Sequence, residues 1–203
     1  PGVIAAVAIA LLWQGQVFQP LEQIAYRSLF GLRGSQPPDE RLVVVAIDDA
    51  SLRQLGRFPW PRYYYSQLLD QVTRQGASVV ALAVLWSEPS SDDDELAQAL
   101  QRQGMTVLAQ AWDADNTPLR PVPELEQAAI ATGHIMRQEE SDGLVRHIVP
   151  VLRGQPALAV AALQAYSLVA GPVPDTHFDR PLWLNWPGPA AEFQTYSFVD
   201  VLK

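Results

Sequence analysis

Two adjacent carboxylates, Asp48 and Asp49, close the apolar run Val43-Val44-Val45-Ala46-Ile47. Such a run, mostly β-branched, reads as a strand buried on both faces. In open parallel sheets, ligands are held at the carboxyl ends of the strands. Two close carboxylates shift each other's pKa and can bind a cation; the alternative is that Asp49 caps a helical turn and Asp48 bonds to backbone amides. Glu88 and Asp92, Asp93 and Asp94 follow a second apolar run, and together with Asp48 they would make an acidic mouth. Such a mouth suits cations or amines and opposes phosphates. For Asp92 and Asp93 the plainer reading is a solvated loop with a helix cap. Arg62 and Arg146 balance these charges, either as a ligand clamp or as buried Arg–carboxylate pairs. Trp60, held between Pro59 and Pro61, either stacks on a ligand or plugs the core. His134, His147 and His177 lie in no metal-ligand motif.

Several chemistries are excluded. The chain has no cysteine, hence no disulfide, thiolate metal site or cysteine nucleophile. Its only lysine is the last residue, Lys203, which removes P-loop, Schiff-base and receiver-type phosphotransfer chemistry. Ala50 stands where a dehalogenase-type phosphatase needs its second Asp, and neither G-x-S-x-G nor G-x-G-x-x-G is present. No catalytic residue, metal site or cofactor is assigned. A net charge of −8 opposes binding to nucleic acid and anionic lipid.

The elements that position these groups follow from periodicity and punctuation. Strands are expected at about 41–47, 78–86 and 105–112, the first two continuously apolar. Helices are expected from Arg62 to Gln75, from Asp92 to Gly104 with Asp92 and Glu95 as a capping pair, and from Glu124 to Ala131. His134–Arg137 and Leu144–Leu152 read as an antiparallel hairpin over the Glu139–Gly143 turn, which would set His134 beside His147. A mostly apolar helix spans Pro156–Ala170, a late strand Leu182–Trp186, and a final helix is capped near Ser197. The fold class is α/β, with a three-layer, mostly parallel mixed sheet, helices on both faces, one antiparallel hairpin and an N-terminal juxtamembrane helix.

Residues 3–13 are wholly apolar and no charge precedes Glu22. Residues 1–18 are read as the outer end of a transmembrane helix with Trp13 at the interface, so that the chain is a piece of a longer protein. Residues 19–36 form a juxtamembrane helix and linker, and 37–203 the globular domain. Leu21, Ile24, Ala25, Leu29 and Leu32 make an apolar stripe on the linker helix, which either packs on the domain or pairs with a second copy.

The order of the motifs resembles the CHASE2 domain, an extracytoplasmic input module of bacterial membrane receptors. The matching pieces are Ile47-Asp48-Asp49-Ala50-Ser51, Leu55-Gly56 with Phe58-Pro59-Trp60-Pro61-Arg62, Asp142-Gly143-Leu144-Val145-Arg146, Asn185-Trp186, and Ser197-Phe198-Val199-Asp200-Val201-Leu202. Ala83 stands where the family often has an acidic residue, and Glu140-Ser141-Asp142-Gly143 replaces D-x-D-G. The resemblance implies a ligand-binding set of Asp48, Asp49, Ser51, Trp60, Arg62, Glu88, Asp94, Asp142 and Arg146. It also implies placement at the cell membrane through flanking spans, and an output kinase or nucleotide cyclase elsewhere in the receptor. The expected partner is a small-molecule or ionic ligand, with a homodimer as a further expectation. Two other readings stand beside this one: a docking or dimerisation module without a ligand, and a metal-dependent hydrolase using Asp48 and Asp94.

Overall fold

The central strand is β3 (Thr106–Trp112), and the rest of the main sheet is assembled on it. In a computed structural model, Gly2 and residues 19–172, 178–188 and 193–203 are described. The expected membrane helix at 1–18 therefore lies outside the described residues, Gly2 apart, and so does His177. No described helix is long and apolar enough to cross a membrane.

The chain divides into two units. One comprises Pro1–Leu42 with Trp186–Gln194 and contains α1 (Gln19–Arg33). Within it, the Arg33 guanidinium donates to the carbonyl of Trp186 and lies 4.3 Å over the ring of Phe30, and the Gln36 amide donates to the carbonyl of Pro187 at 2.6 Å. Leu21, Ile24, Leu29 and Leu32 are exposed, Leu32 at 85%. The stripe seen in the sequence is thus the open side of the helix.

The other unit holds Val43–Asn185 and Thr195–Lys203. Its elements are β1 (Val43–Ala46), α2 (Asp49–Leu55), α3 (Tyr63–Arg74), β2 (Val80–Leu82), α4 (Asp93–Gln103), β3, β4 (Pro118–Leu119), α5 (Pro123–Ala128) and β5 (Ala131–His134). They are followed by β6 (His147–Ile148), β7 (Val151–Leu152), β8 (Gln155–Pro156), α6 (Leu158–Ala170), β9 (Leu182–Trp183), β10 (Gln194–Ser197) and α7 (Phe198–Val201). Strand β3 pairs in parallel with β2 and β5, and antiparallel with the edge piece β4. Successive side chains of a strand face opposite ways. Leu108 accordingly enters one core with Leu68, Leu69, Leu96, Leu100 and Leu125 of α3, α4 and α5, while Val107 enters a second with Ala161 and Ala165 of α6. A mixed α/β fold with helices on both sides of the sheet results.

Three expectations need correction. Strand β1 is not buried on both faces: Val43 and Val44 are 46% and 39% exposed, and β1 pairs with β10 in a two-stranded ribbon. A β-branched run signals extended backbone, but it does not say how many faces are covered. The second strand covers three residues rather than 78–86, because the chain leaves the sheet after Leu82. The Glu139–Gly143 hairpin does not form between the expected strands. β5 pairs in parallel with β3, β6 pairs with β9, and antiparallel hairpins form instead at β3–β4 and at β7–β8, the latter over Arg153 and Gly154, both at positive φ. Asp142-Gly143 does make its turn, with the Glu140 amide donating to the carbonyl of Leu144, but the turn closes a loop. His134 and His147 therefore sit in different sheets, each beside a tryptophan: His134 by Trp112 and His147 by Trp183.

Helix α6 lies unusually close to β5. A Cβ at Gly133 would meet the Leu158 Cα at 2.5 Å. Both atoms are backbone-fixed, so Gly133→Ala is expected to cost about 1–3 kcal/mol by overpacking. The measurement is the urea midpoint at constant slope; an unchanged midpoint would contradict this packing.

Candidate functional site

The expected site residues separate into three clusters, each built by a different piece of local structure. The first lies where β1 ends. Asp48, not Asp49, is the N-cap of α2: its Oδ1 accepts from the Ser51 amide at 2.9 Å. This corrects the expected cap by one residue, and Asp49 is left exposed in the first helical turn. The same Oδ1 accepts from the Ser51 hydroxyl at 2.7 Å and the Ser197 hydroxyl at 2.8 Å. Ser51 is wholly buried, and its Oγ accepts in turn from the Val199 amide at 3.1 Å. These hydrogen bonds, those from Ser51 before that from Ser197, hold the Asp48 carboxyl below its ordinary pKa. Ser197 occupies the N-cap position of α7, yet its hydroxyl makes no cap bond for that helix.

The second cluster surrounds Arg62, which is buried at the start of α3. Its guanidinium donates to the carbonyl of Glu88 and pairs with Asp93. Burial pulls the Arg62 pKa down, with the Asp92 carboxylate opposing. Asp93 is therefore not the solvated loop residue expected: it is buried, and its Oδ2 also accepts from the Ser90 amide at 2.8 Å. Asp92 occupies the N-cap of α4 without a side-chain cap bond. Outside this pair is a cleft of about 430 Å³, between the Pro89–Asp94 stretch and Val122–Glu124. Asp94 and Glu124 are exposed on its rim, each in the first turn of a helix, where a carboxylate also complements the helix dipole. Glu88 presents its side chain to solvent and contributes its carbonyl to Arg62.

The third cluster surrounds Arg146. Arg146 is buried and donates to Glu140 at 2.7 Å and to Asp142 at 2.9 and 2.6 Å. The hydrogen bonds to Asp142, ahead of the charge of Glu140, raise the guanidinium pKa. Both carboxylates belong to the loop that Arg146 closes, so this charge organises the loop.

Trp60 plugs the core at 5% exposure. Its indole N–H donates to the carbonyl of Gly56 at 2.8 Å and its ring lies 4.9 Å from that of Phe198, after a cis Phe58–Pro59 peptide. Tyr65 lies 5.3 Å from Phe198 and 5.2 Å from Trp86, with its hydroxyl pKa pushed up to about 12 by burial. Two partners escape sequence reasoning: Ser197 for Asp48 and Asp93 for Arg62. Among the described residues, no group of three or more His, Asp or Glu side chains could hold a metal ion. The two carboxylates of the hydrolase reading meet different surroundings: Asp48 is engaged by serines and Asp94 stands on the rim of the cleft.

The buried and exposed ion pairs should respond differently to mutation. Arg62→Ala strands Asp93 in the interior and should cost about 3–5 kcal/mol, whereas Arg102→Ala, which breaks the exposed pair with Asp70, should cost under about 1 kcal/mol. Denaturant unfolding checks both, and equal losses would refute the assignment of Arg62 as the buried anchor.

The CHASE2 domain family model matches residues 3–203. No curated protein and no solved structure matches the chain significantly.

Proposed function

The chain belongs to the CHASE2 domain family, and from that premise we propose that it is the ligand-sensing input domain of a bacterial transmembrane receptor, on the extracytoplasmic side of the cell membrane. CHASE2 domains are extracytoplasmic sensor domains of receptors and are not catalytic. The finer reading assigns the stimulus to the cleft beside Arg62 and the output to a histidine kinase, Ser/Thr kinase or nucleotide cyclase elsewhere in the receptor. Flanking spans would anchor the domain.

The observation that carries the site is a 430 Å³ cleft with carboxylates on its rim, backed by a buried Arg–Asp pair. The volume suits a small ligand. Asp94 and Glu124 select for positive charge, while Arg62 is held back from the opening by Asp93 and the carbonyl of Glu88. A small cation or amine is the class of ligand this supports. Titration calorimetry of the 203-residue chain with Ca²⁺ and with 1,4-diaminobutane tests it. Saturable binding of at least one probe is expected, weakened about tenfold or more in Asp94→Asn/Glu124→Gln. Absence of binding by both would remove the cationic reading of the cleft.

The exposed stripe on α1 favours a second reading, in which the domain docks to a second copy of itself. Sedimentation with and without residues 19–33 separates the two. Docking through the stripe predicts a concentration-dependent dimer that disappears with the helix; a monomer in both forms would dismiss it.

A further inference from the structure

We infer that β10 and α7 form a releasable arm, clasped to the incoming strand by Asp48, and that this arm carries the response of the cleft. The inference rests on the sensor reading above, but its clasp is tested without any ligand.

Three observations define the arm. Helix α7 has four residues, far too few to persist without tertiary support. Its strand, β10, pairs with β1 in a ribbon separate from the main sheet. The contacts that seat it include the Ser197 hydroxyl on Asp48, the Val199 amide on the Ser51 hydroxyl, the β1 ladder, Phe198 with Val199 in the core, and Val201 and Leu202 packed against that core. Asp48 and Ser51 stand at the beginning of the domain and Ser197 and Val199 at its end. One carboxylate thus ties the incoming and outgoing chain together. Because the three donated hydrogen bonds favour the ionised form, the clasp stays charged through neutral pH, and opening it takes mechanical or ligand free energy rather than a proton.

Physical contacts run from the cleft to the arm. Val122, in the cleft wall, donates its amide to the carbonyl of Trp86 at 2.9 Å. The Trp86 ring meets Tyr65, and Tyr65 meets Phe198. From the other wall, Arg62 grips Asp93 and Glu88, and its carbonyl accepts from the Tyr65 amide at 2.9 Å. Both routes converge on Tyr65 and therefore on the slot that seats Phe198. A ligand that shifts either wall alters the seat of the arm, and the two-state element is the arm itself, seated or released.

Ser197→Ala removes the cross-link and leaves the Asp48 cap on α2 intact. Ser51→Ala/Ser197→Ala removes the Val199 acceptor as well, while the Ser51 amide still caps. Amide hydrogen exchange of the 203-residue chain reads the result. In both variants, residues 195–201 should exchange about tenfold faster or more, with the β3 amides of Val107 and Leu108 unchanged. Ser167→Ala, near the end of α6 and outside both the clasp and the cleft, should leave both regions alone. Unchanged exchange in 195–201, or acceleration shared equally by β3, overturns the arm. Should the double variant fail to fold, exchange in the single variant decides alone, on the same two outcomes. Loss of cleft binding in the preceding titration would leave this outcome untouched, so the two readings fail separately.

Discussion

Oδ1 of Asp48 accepts three hydrogen bonds, from the Ser51 amide and from the hydroxyls of Ser51 and Ser197. The organisation of both chain ends in this unit depends on that one atom. It starts α2 by satisfying an amide that no residue of the helix can reach. It also orients the Ser51 hydroxyl, whose oxygen is then available to the Val199 amide. A buried hydroxyl facing a buried amide would be costly if either lacked its partner. The carboxylate fixes the order of donors and acceptors so that neither does. The sequence motif I-D-D-x-S and the motif S-x-x-D-V-L thereby become two halves of one structure.

The second constraint is that β3 must be covered on both sides. Its parallel neighbours β2 and β5 occupy its two edges, and alternation along β3 sends Leu108 to one core and Val107 to the other, so helices cover both faces. Coverage differs between faces. Helix α6 is nearly all small and apolar and can approach until only a glycine, Gly133, fits beneath it. The opposite face is filled by larger leucines and by the Trp60, Tyr65, Trp86 and Phe198 cluster. Close-packed interiors transmit strain, so the ring contacts on this face are a physical connection between its members. The aromatic face is the one whose ring contacts run from Trp86 through Tyr65 to Phe198.

Much of this is legible in the sequence where a residue type has one mechanical use. Gly104 ends α4 and sits in the left-handed region, and the Arg62–Gln75 helix appears within a residue at each end. Legibility fails where the deciding partner is distant. Asp48 stands out by its place after an apolar run, but Ser197 lies 149 positions away and its hydroxyl has no local signature. Asp93 resembles its two aspartate neighbours in sequence; only the buried guanidinium of Arg62 makes it different from Asp94. Asp142-Gly143 announces a turn and makes one, yet strand pairing on either side depends on which strands lie nearby. Positive φ at Arg153 has no such cue, since arginine seldom adopts it.

The separation of the carboxylates bears on how this member departs from its family's pattern. The absence of an acidic residue at Ala83 would matter greatly if Asp48, Asp142 and the second-strand position shared one ligand. The geometry distributes them instead: Asp48 serves the serines, while Asp142 and Glu140 serve Arg146. Glu140, replacing the first Asp of D-x-D-G, still reaches the guanidinium at 2.7 Å, so the extra methylene is accommodated by the loop. Each carboxylate meets its own donors, and the loss of one elsewhere leaves these two arrangements intact. If the cleft is the sensing site, as proposed above, selectivity for a stimulus would reside in Asp94 and Glu124, outside the clasp and the Arg146 loop. A domain built this way can vary its ligand at the rim of the cleft while keeping the same clasp for its response.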